Sequence, residues 1–113
     1  MVEYKASESI DGVFAALADP TRRAIVELLM KNERRVTELA EPFDMSLNAV
    51  SKHIKKLEAA GLVIRRKEGR QYFLRANPAR LAPAADWFEA QRRFWNPRLD
   101  RLEALMREET ENE

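Results

Sequence analysis

Cysteine is absent from these 113 residues, and with it go disulfides, thiolate metal ligands, iron–sulfur clusters and thiol nucleophiles. A single histidine, His53, cannot build a zinc site unaided, so no metal site is expected. Only three glycines occur, none grouped into a phosphate-cradling loop, and no His/carboxylate motif is present. No catalytic residue and no cofactor is therefore assigned, and the chain is not expected to be an enzyme. No stretch approaches the roughly 18 uninterrupted apolar residues that cross a bilayer. The start, Met1-Val2-Glu3-Tyr4-Lys5, lacks the basic-then-apolar order of a secretory signal. The expectation is a cytoplasmic protein with no membrane partner.

Hydrophobic residues make up 45% and charged residues 35% of the chain, the balance of a folded, helix-rich protein. Its length suits one domain with a modest core, read as 1–113. The net charge of +1 hides an uneven distribution. Between Ser46 and Arg75 stand eight lysines and arginines against two acids, whereas from Asp100 to Glu113 six acids face two arginines. A basic middle and an acidic end, with an acidic tail at 110–113, follow from this.

Periodicity organises the rest. Ile10, Val13, Phe14 and Leu17 fall on one stripe of a first helix that Ser9 is placed to cap. Asp19-Pro20 combines a capping side chain with a first-turn proline, opening a second helix with Ile25, Leu28 and Leu29 inward and Asn32 as its end. Thr37 is expected to open a short third helix, which Pro42 limits to about two turns. After a turn, Ser46 is the expected N-cap of a helix to Ala60, anchored by Leu47, Val50, Ile54 and Leu57 and closed by Gly61 in a left-handed conformation. Leu62 to Lys67 and Gln71 to Arg75 read as two strands joined across Glu68-Gly69-Arg70. Asn77-Pro78 opens a final helical stretch over 78–109. There Phe88, Trp95, Leu99, Leu102 and Met106 step by seven, four, three and four, the seam spacing of helices packed along one another. Pro97 is expected to kink that helix or to restart it, with Asn96 as cap.

Four helices, a hairpin and a long last helix describe a mostly α fold with a small β-hairpin, α1-α2-α3-α4-β-β-α5. The short helix and its successor form a helix-turn-helix over 36–60, and the hairpin at 62–75 forms a wing. On the helix after Ser46, Asn48, Lys52, Lys55 and Lys56 lie opposite the apolar stripe. A helix offered to the major groove of double-stranded DNA needs this division, because base-reading groups near its start must be flanked by cations for phosphates. Asn48 suits adenine and Ala49 a thymine methyl. Ser46 is counted with these contacts, Ser51 suits a base or the backbone, and Lys52 suits guanine or a phosphate. The hairpin residues Arg65, Arg66, Lys67 and Arg70 would meet flanking phosphates or the minor groove. A plain solvated charged face explains any one of these features. The basic helix face, the short helix before it and the basic hairpin, in this order, favour DNA.

Three stretches carry a family resemblance: Ala16-Leu17-Ala18-Asp19-Pro20-Thr21-Arg22-Arg23, Val50-Ser51-Lys52-His53-Ile54-Lys55-Lys56-Leu57 running on to Ala60-Gly61-Leu62-Val63, and Glu68-Gly69-Arg70. From Val13 to Leu105 the chain resembles the ArsR-type winged helix-turn-helix repressors, in their metal-independent branch. The resemblance implies a homodimer joined by its first and last helices that binds a partly palindromic operator and blocks transcription of its own operon. Its recognition helices would stand about one DNA turn, roughly 34 Å, apart. Leu47 departs from the family pattern, in which a polar residue is usual, so no base contact is carried to that position.

His53 projects from the flank of the recognition helix, and similar proteins use a histidine there to support the helix or to meet a phosphate. The cysteine and histidine sets by which many members of the family sense metals are missing. Asp86, Glu89, Asp100 and Glu103 read as the polar face of a packed helix. Trp87, Phe88, Phe94 and Trp95, with Arg92 and Arg93 between, read as dimer packing ahead of a small-molecule pocket. The expected dimer surface is Ile10, Val13, Phe14, Trp87, Phe88, Trp95, Leu99, Leu102 and Met106. A small-molecule effector is left unassigned. The competing reading is a winged-helix protein-interaction module that works through the aromatic last helix.

Overall fold

The computed structural model describes residues 10–111; Ser9, the expected first cap, lies outside them. The chain divides into two compact units, Met1–Ala82 and Pro83–Glu113. The first holds α1 (Ile10–Leu17), α2 (Pro20–Lys31), a two-residue strand β1 (Arg34–Arg35), α3 (Val36–Ala40), α4 (Leu47–Ala59), β2 (Val63–Glu68), β3 (Gln71–Ala76) and a 3₁₀ turn over Pro78–Leu81. The second is the length of α5 (Ala82–Glu111) that follows Ala82. The element order is that of a winged helix-turn-helix.

The corner between α1 and α2 shows why Asp19 to Arg23 occur together. Asp19 is the N-cap of α2, its carboxylate accepting from the Arg22 backbone N–H at 3.0 Å, with Pro20 at the first helical position. Arg22 and Arg23 turn back onto the end of α1. Arg22 Nε donates to Ala16 O (2.6 Å) and Nη2 to Ala15 O (3.2 Å), while Arg23 Nη1 donates to Leu17 O (2.8 Å). The carbonyls that a helix end leaves without partners are thus satisfied by cations, which the helix dipole also favours there.

Two sequence boundaries shift. The third helix starts at Val36, not at Thr37, because Glu38 in its first turn accepts from both the Arg35 backbone N–H (3.4 Å) and Arg35 Nε (2.6 Å), which fixes the entry one residue earlier. The final helix starts at Ala82 after the 3₁₀ turn and runs to Glu111, taking in the first residues of the expected acidic tail. Asn77 makes no side-chain cap; its amide instead donates to Gly61 O at 3.0 Å. Pro97 lies inside a helix that continues through it.

The core of the first unit is aliphatic: Val13, Ile25, Leu39, Val50, Ile54, Leu57, Leu62 and Leu74 are fully buried. Helix α2 packs on β3 and α4, and α4 packs on α3 and β2. The sheet has the order β1-β3-β2 and is antiparallel throughout. Its third strand was not foreseen, since Arg34-Arg35 carries no β pattern; pairing Arg34 with Leu74 and Arg35 with Phe73 makes it a strand. Across β2 and β3, Glu68 faces Gln71, leaving Gly69-Arg70 as a two-residue loop. Gly69 has φ +62° and no described non-glycine residue has a positive φ, the pattern of a type II′ hairpin.

Candidate nucleic-acid interface

Helix α4 starts and stops on local chemistry. Ser46 Oγ accepts from the Ala49 N–H at 3.1 Å, so this hydroxyl, expected among the DNA contacts, serves as the N-cap. At the other end Leu62 N–H donates to Leu57 O (3.0 Å) and Gly61 N–H to Glu58 O (2.9 Å), with Gly61 at φ +79°. That is a Schellman closure, completed by the buried side chains of Leu57 and Leu62.

Between these ends the faces separate as the periodicity requires. Val50, Ile54 and Leu57 are fully buried. Asn48, Lys52, Lys55 and Lys56 are exposed, and Ala49 and Ser51 are partly so. Leu47 corrects the sequence expectation: read as an anchor, it is 51% exposed. It occupies the first position of the helix, a turn ahead of the residues that reach the core, so its place on the stripe does not bring it to a partner. An exposed leucine beside Asn48 adds an apolar group to the reading edge.

The flanks of α4 are tied to the body. On one side His53 meets the α1–α2 corner, its Nδ1 lying 3.3 Å from Arg22 Nη1 and 3.8 Å from Asp19 Oδ2. A guanidinium only donates, so Nδ1 accepts and the ring proton sits on Nε2. The Arg22 backbone N–H holds the Asp19 carboxyl below its usual value of 3.8. On the other side Glu58 receives two bonds from Arg65 of the wing, Nη2 at 2.8 Å and Nε at 3.3 Å. His53 and Glu58 are thus the two braces of the helix.

The wing's cations are not equivalent. Arg66 bonds Glu33 and, at 2.7 Å, Glu68, and these two carboxylates hold its guanidinium charged well above its ordinary value. Arg65 is raised in the same way by Glu58. Arg65 and Lys67 also lie over the Tyr72 ring at 5.2 and 5.7 Å, and Arg66 over Phe73 at 4.8 Å. Arg70, at the tip, makes no ion pair among the described residues. Sequence reading gave the four equal weight, since an acid thirty-three residues away in the chain, Glu33, is invisible to spacing. Among the described residues no group of three or more His, Cys, Asp or Glu could hold a metal ion.

Of the residues expected at a dimer surface, Val13 is buried at 1% exposure in the chain's own core. Ile10 and Phe14 are partly exposed. On α5, Trp87, Phe88, Phe94, Trp95, Leu99, Leu102, Leu105 and Met106 are all exposed, and Ala84 is the one buried residue described on that helix. At about 100° per residue the eight fall within one arc of roughly 140°. Trp87 meets Phe88, and Phe94 meets Trp95, edge to face at 5.2 and 5.1 Å.

A helix-turn-helix domain family model matches residues 17–66, from the end of α1 into β2. The chain is 41% identical over 87 residues to the HTH-type transcriptional regulator Rv2034 of Mycobacterium tuberculosis, covering 77% of this chain and 78% of that protein. It is 30% identical to the transcriptional repressor SdpR of Bacillus subtilis, over 69% of this chain and 87% of SdpR. A crystal structure of an ArsR family transcriptional regulator superposes with a TM-score of 0.72 at 36% identity, covering 85% of this chain and 97% of that one. The chain belongs to the ArsR family of transcriptional regulators. A further neighbour, the homodimeric winged helix-turn-helix DNA-binding domain of a Mycobacterium bovis protein, matches with a TM-score of 0.60 at 28% identity over 77% of this chain and 82% of that one. Within this ArsR-family chain, the helix-turn-helix match covers α2, α3 and α4 whole, the elements that carry and brace the exposed Asn48–Lys55 face.

Proposed function

We propose that this chain is a homodimeric repressor that binds a partly palindromic operator through α4 and blocks transcription of its own operon in the cytoplasm. The observation that carries the reading is the division of α4: a fully buried Val50–Ile54–Leu57 stripe and, opposite it, an exposed edge of Asn48, Lys52 and Lys55. Held by its braces, that edge presents one amide to base edges and two ammonium groups to phosphates, while Leu47 and Ala49 suit thymine methyls. Lys67 and Arg70 at the wing tip suit the adjoining backbone. Among the described residues no helix is long and apolar enough to cross a membrane.

Dimerisation is supported by α5. An apolar arc of about 140° is wider than the seam of a two-stranded coil and suits a helix packed against more than one neighbour. The first and last helices of two protomers would supply them. That a Mycobacterium bovis neighbour is a homodimeric domain supports homodimerisation. The absence of cysteine and the single histidine favour a signal other than a soft metal.

The test is a titration against the DNA upstream of the chain's own gene at two salt concentrations. Affinity for the operator should fall steeply with salt, with a slope set by the phosphates neutralised, and random DNA should bind at least about a thousandfold more weakly. Undetectable or sequence-independent binding would leave the protein-interaction reading, which the exposed aromatic arc of α5 otherwise favours.

A further inference from the structure

We propose that the groove between α1 and α4 is a binding site for a small carboxylic acid with an apolar body, and that occupancy of this groove weakens DNA binding. Its floor is made of small residues, Gly12, Ala15 and Ala16 from α1 with Ala59 and Ala60 from the end of α4, and it encloses about 300 Å³. That is the lower end of the size range of small-molecule sites. Two cationic side chains, Arg22 and Lys56, line the same space, and no described carboxylate does.

Like charges facing one apolar space favour an anion there, and Asp19, which partly answers the Arg22 charge, does not line the groove. The Lys56 ammonium makes no hydrogen bond or ion pair among the described residues. Arg22 has five N–H groups. Three are directed at Ala15 O, Ala16 O and His53 Nδ1, leaving two for a ligand. A carboxylate offers the planar pair of acceptors that a guanidinium fork matches, and the alanine floor suits a short alkyl chain or a single ring.

The groove reaches the DNA-reading helix through Arg22. His53 and Lys56 stand three residues apart on the same side of α4, and the guanidinium that lines the groove is the one that braces His53. A carboxylate drawing Arg22 toward Lys56 competes with that brace and releases the flank of α4. This coupling rests on the repressor reading above, whereas binding of the acid to DNA-free protein does not.

The experiment uses the full chain with hexanoate and benzoate as probes, and hexanamide and benzamide as uncharged controls. Binding is followed by calorimetry and by the methyl resonances of Ala15 and Ala59. The acids should bind and shift both methyls, the amides at least about tenfold more weakly, and saturating acid should lower operator affinity about fivefold or more. Ala59→Leu, an exposed helical position outside the reading edge, should fill the groove, abolish acid binding and leave operator affinity unchanged; Lys56→Gln should weaken acid binding about tenfold. Acids and amides binding alike, or acids binding Ala59→Leu as well as wild type, would overturn the site. So would nuclear Overhauser effects from the two methyls to residues 2–8 or to a second protomer, which would show the groove filled by the protein itself. Acid binding with unchanged operator affinity would overturn the effector role alone, and a protein that binds acid but no operator would count against the repressor reading.

Discussion

At Asn48 and Arg70 two exposed side chains do different work. An amide bonded to a base edge discriminates, whereas a guanidinium at the wing tip meets only charge. Asn48→Ala should therefore lose about 1–3 kcal/mol on the operator and little on random DNA. Arg70→Ala should weaken both alike and reduce the salt slope by about one. Binding isotherms on cognate and random duplexes at several salt concentrations check both, and equal losses for Asn48→Ala would remove its reading role. Arg66→Ala should leave the slope nearly unchanged, because Glu33 and Glu68 already answer that charge. Asp19 supplies a pH dependence. Its carboxyl is held below its usual 3.8, chiefly by the Arg22 N–H, so its contribution to stability is present above that value and is lost as pH falls through the lowered one. Thermal stability should decline on acidification from about pH 5 toward 3. The decline should be smaller in Asp19→Asn, which keeps a capping oxygen without the titration.

Among the elements, α4 is decided by its ends as much as by its stripe. Gly61 carries the left-handed turn, and a Cβ there would come within 3.2 Å of Arg80, whose Nε donates to Ala60 O at 3.1 Å. Gly61→Ala should cost about 1–2 kcal/mol from backbone strain alone, with a further loss if Arg80 is displaced. At Gly69 a Cβ would meet nothing within 4 Å, so Gly69→Ala should cost only the strain. Denaturant unfolding of the two variants separates these terms. The wing shows what pairing decides: β1 is a strand because β3 offers Arg34 and Arg35 a ladder. In α5, Pro97 takes one N–H out of the helix, and Arg98 stacks over Phe94 at 3.7 Å while donating to its carbonyl at 2.7 Å. The turn around the proline is thereby held by a side chain.

For the whole molecule, association is the property the structure leaves to α5. Large apolar side chains exposed over one arc of a 30-residue helix are costly in water and gain when a second surface covers them. Trp95→Glu should give monomers by sedimentation and, since two half-sites must be held together, lose most operator affinity. A dimer of unchanged mass would refute the α5 seam.

Local chemistry made much of this legible in advance. The Asp19-Pro20 start, the Ser46 cap, the Gly61 stop and the Val50–Ile54–Leu57 stripe are short-range patterns written within a few residues, and they appear as read. The same holds for the winged helix-turn-helix order and for the family. What sequence spacing could not decide depends on groups brought together from far apart. Leu47 lies on the stripe but beyond the reach of the core; Glu33 neutralises Arg66; Arg22 joins α1, α2 and His53. Periodicity records which side of a helix a residue occupies. Only tertiary packing decides how far along that side the core extends, and which charge meets which.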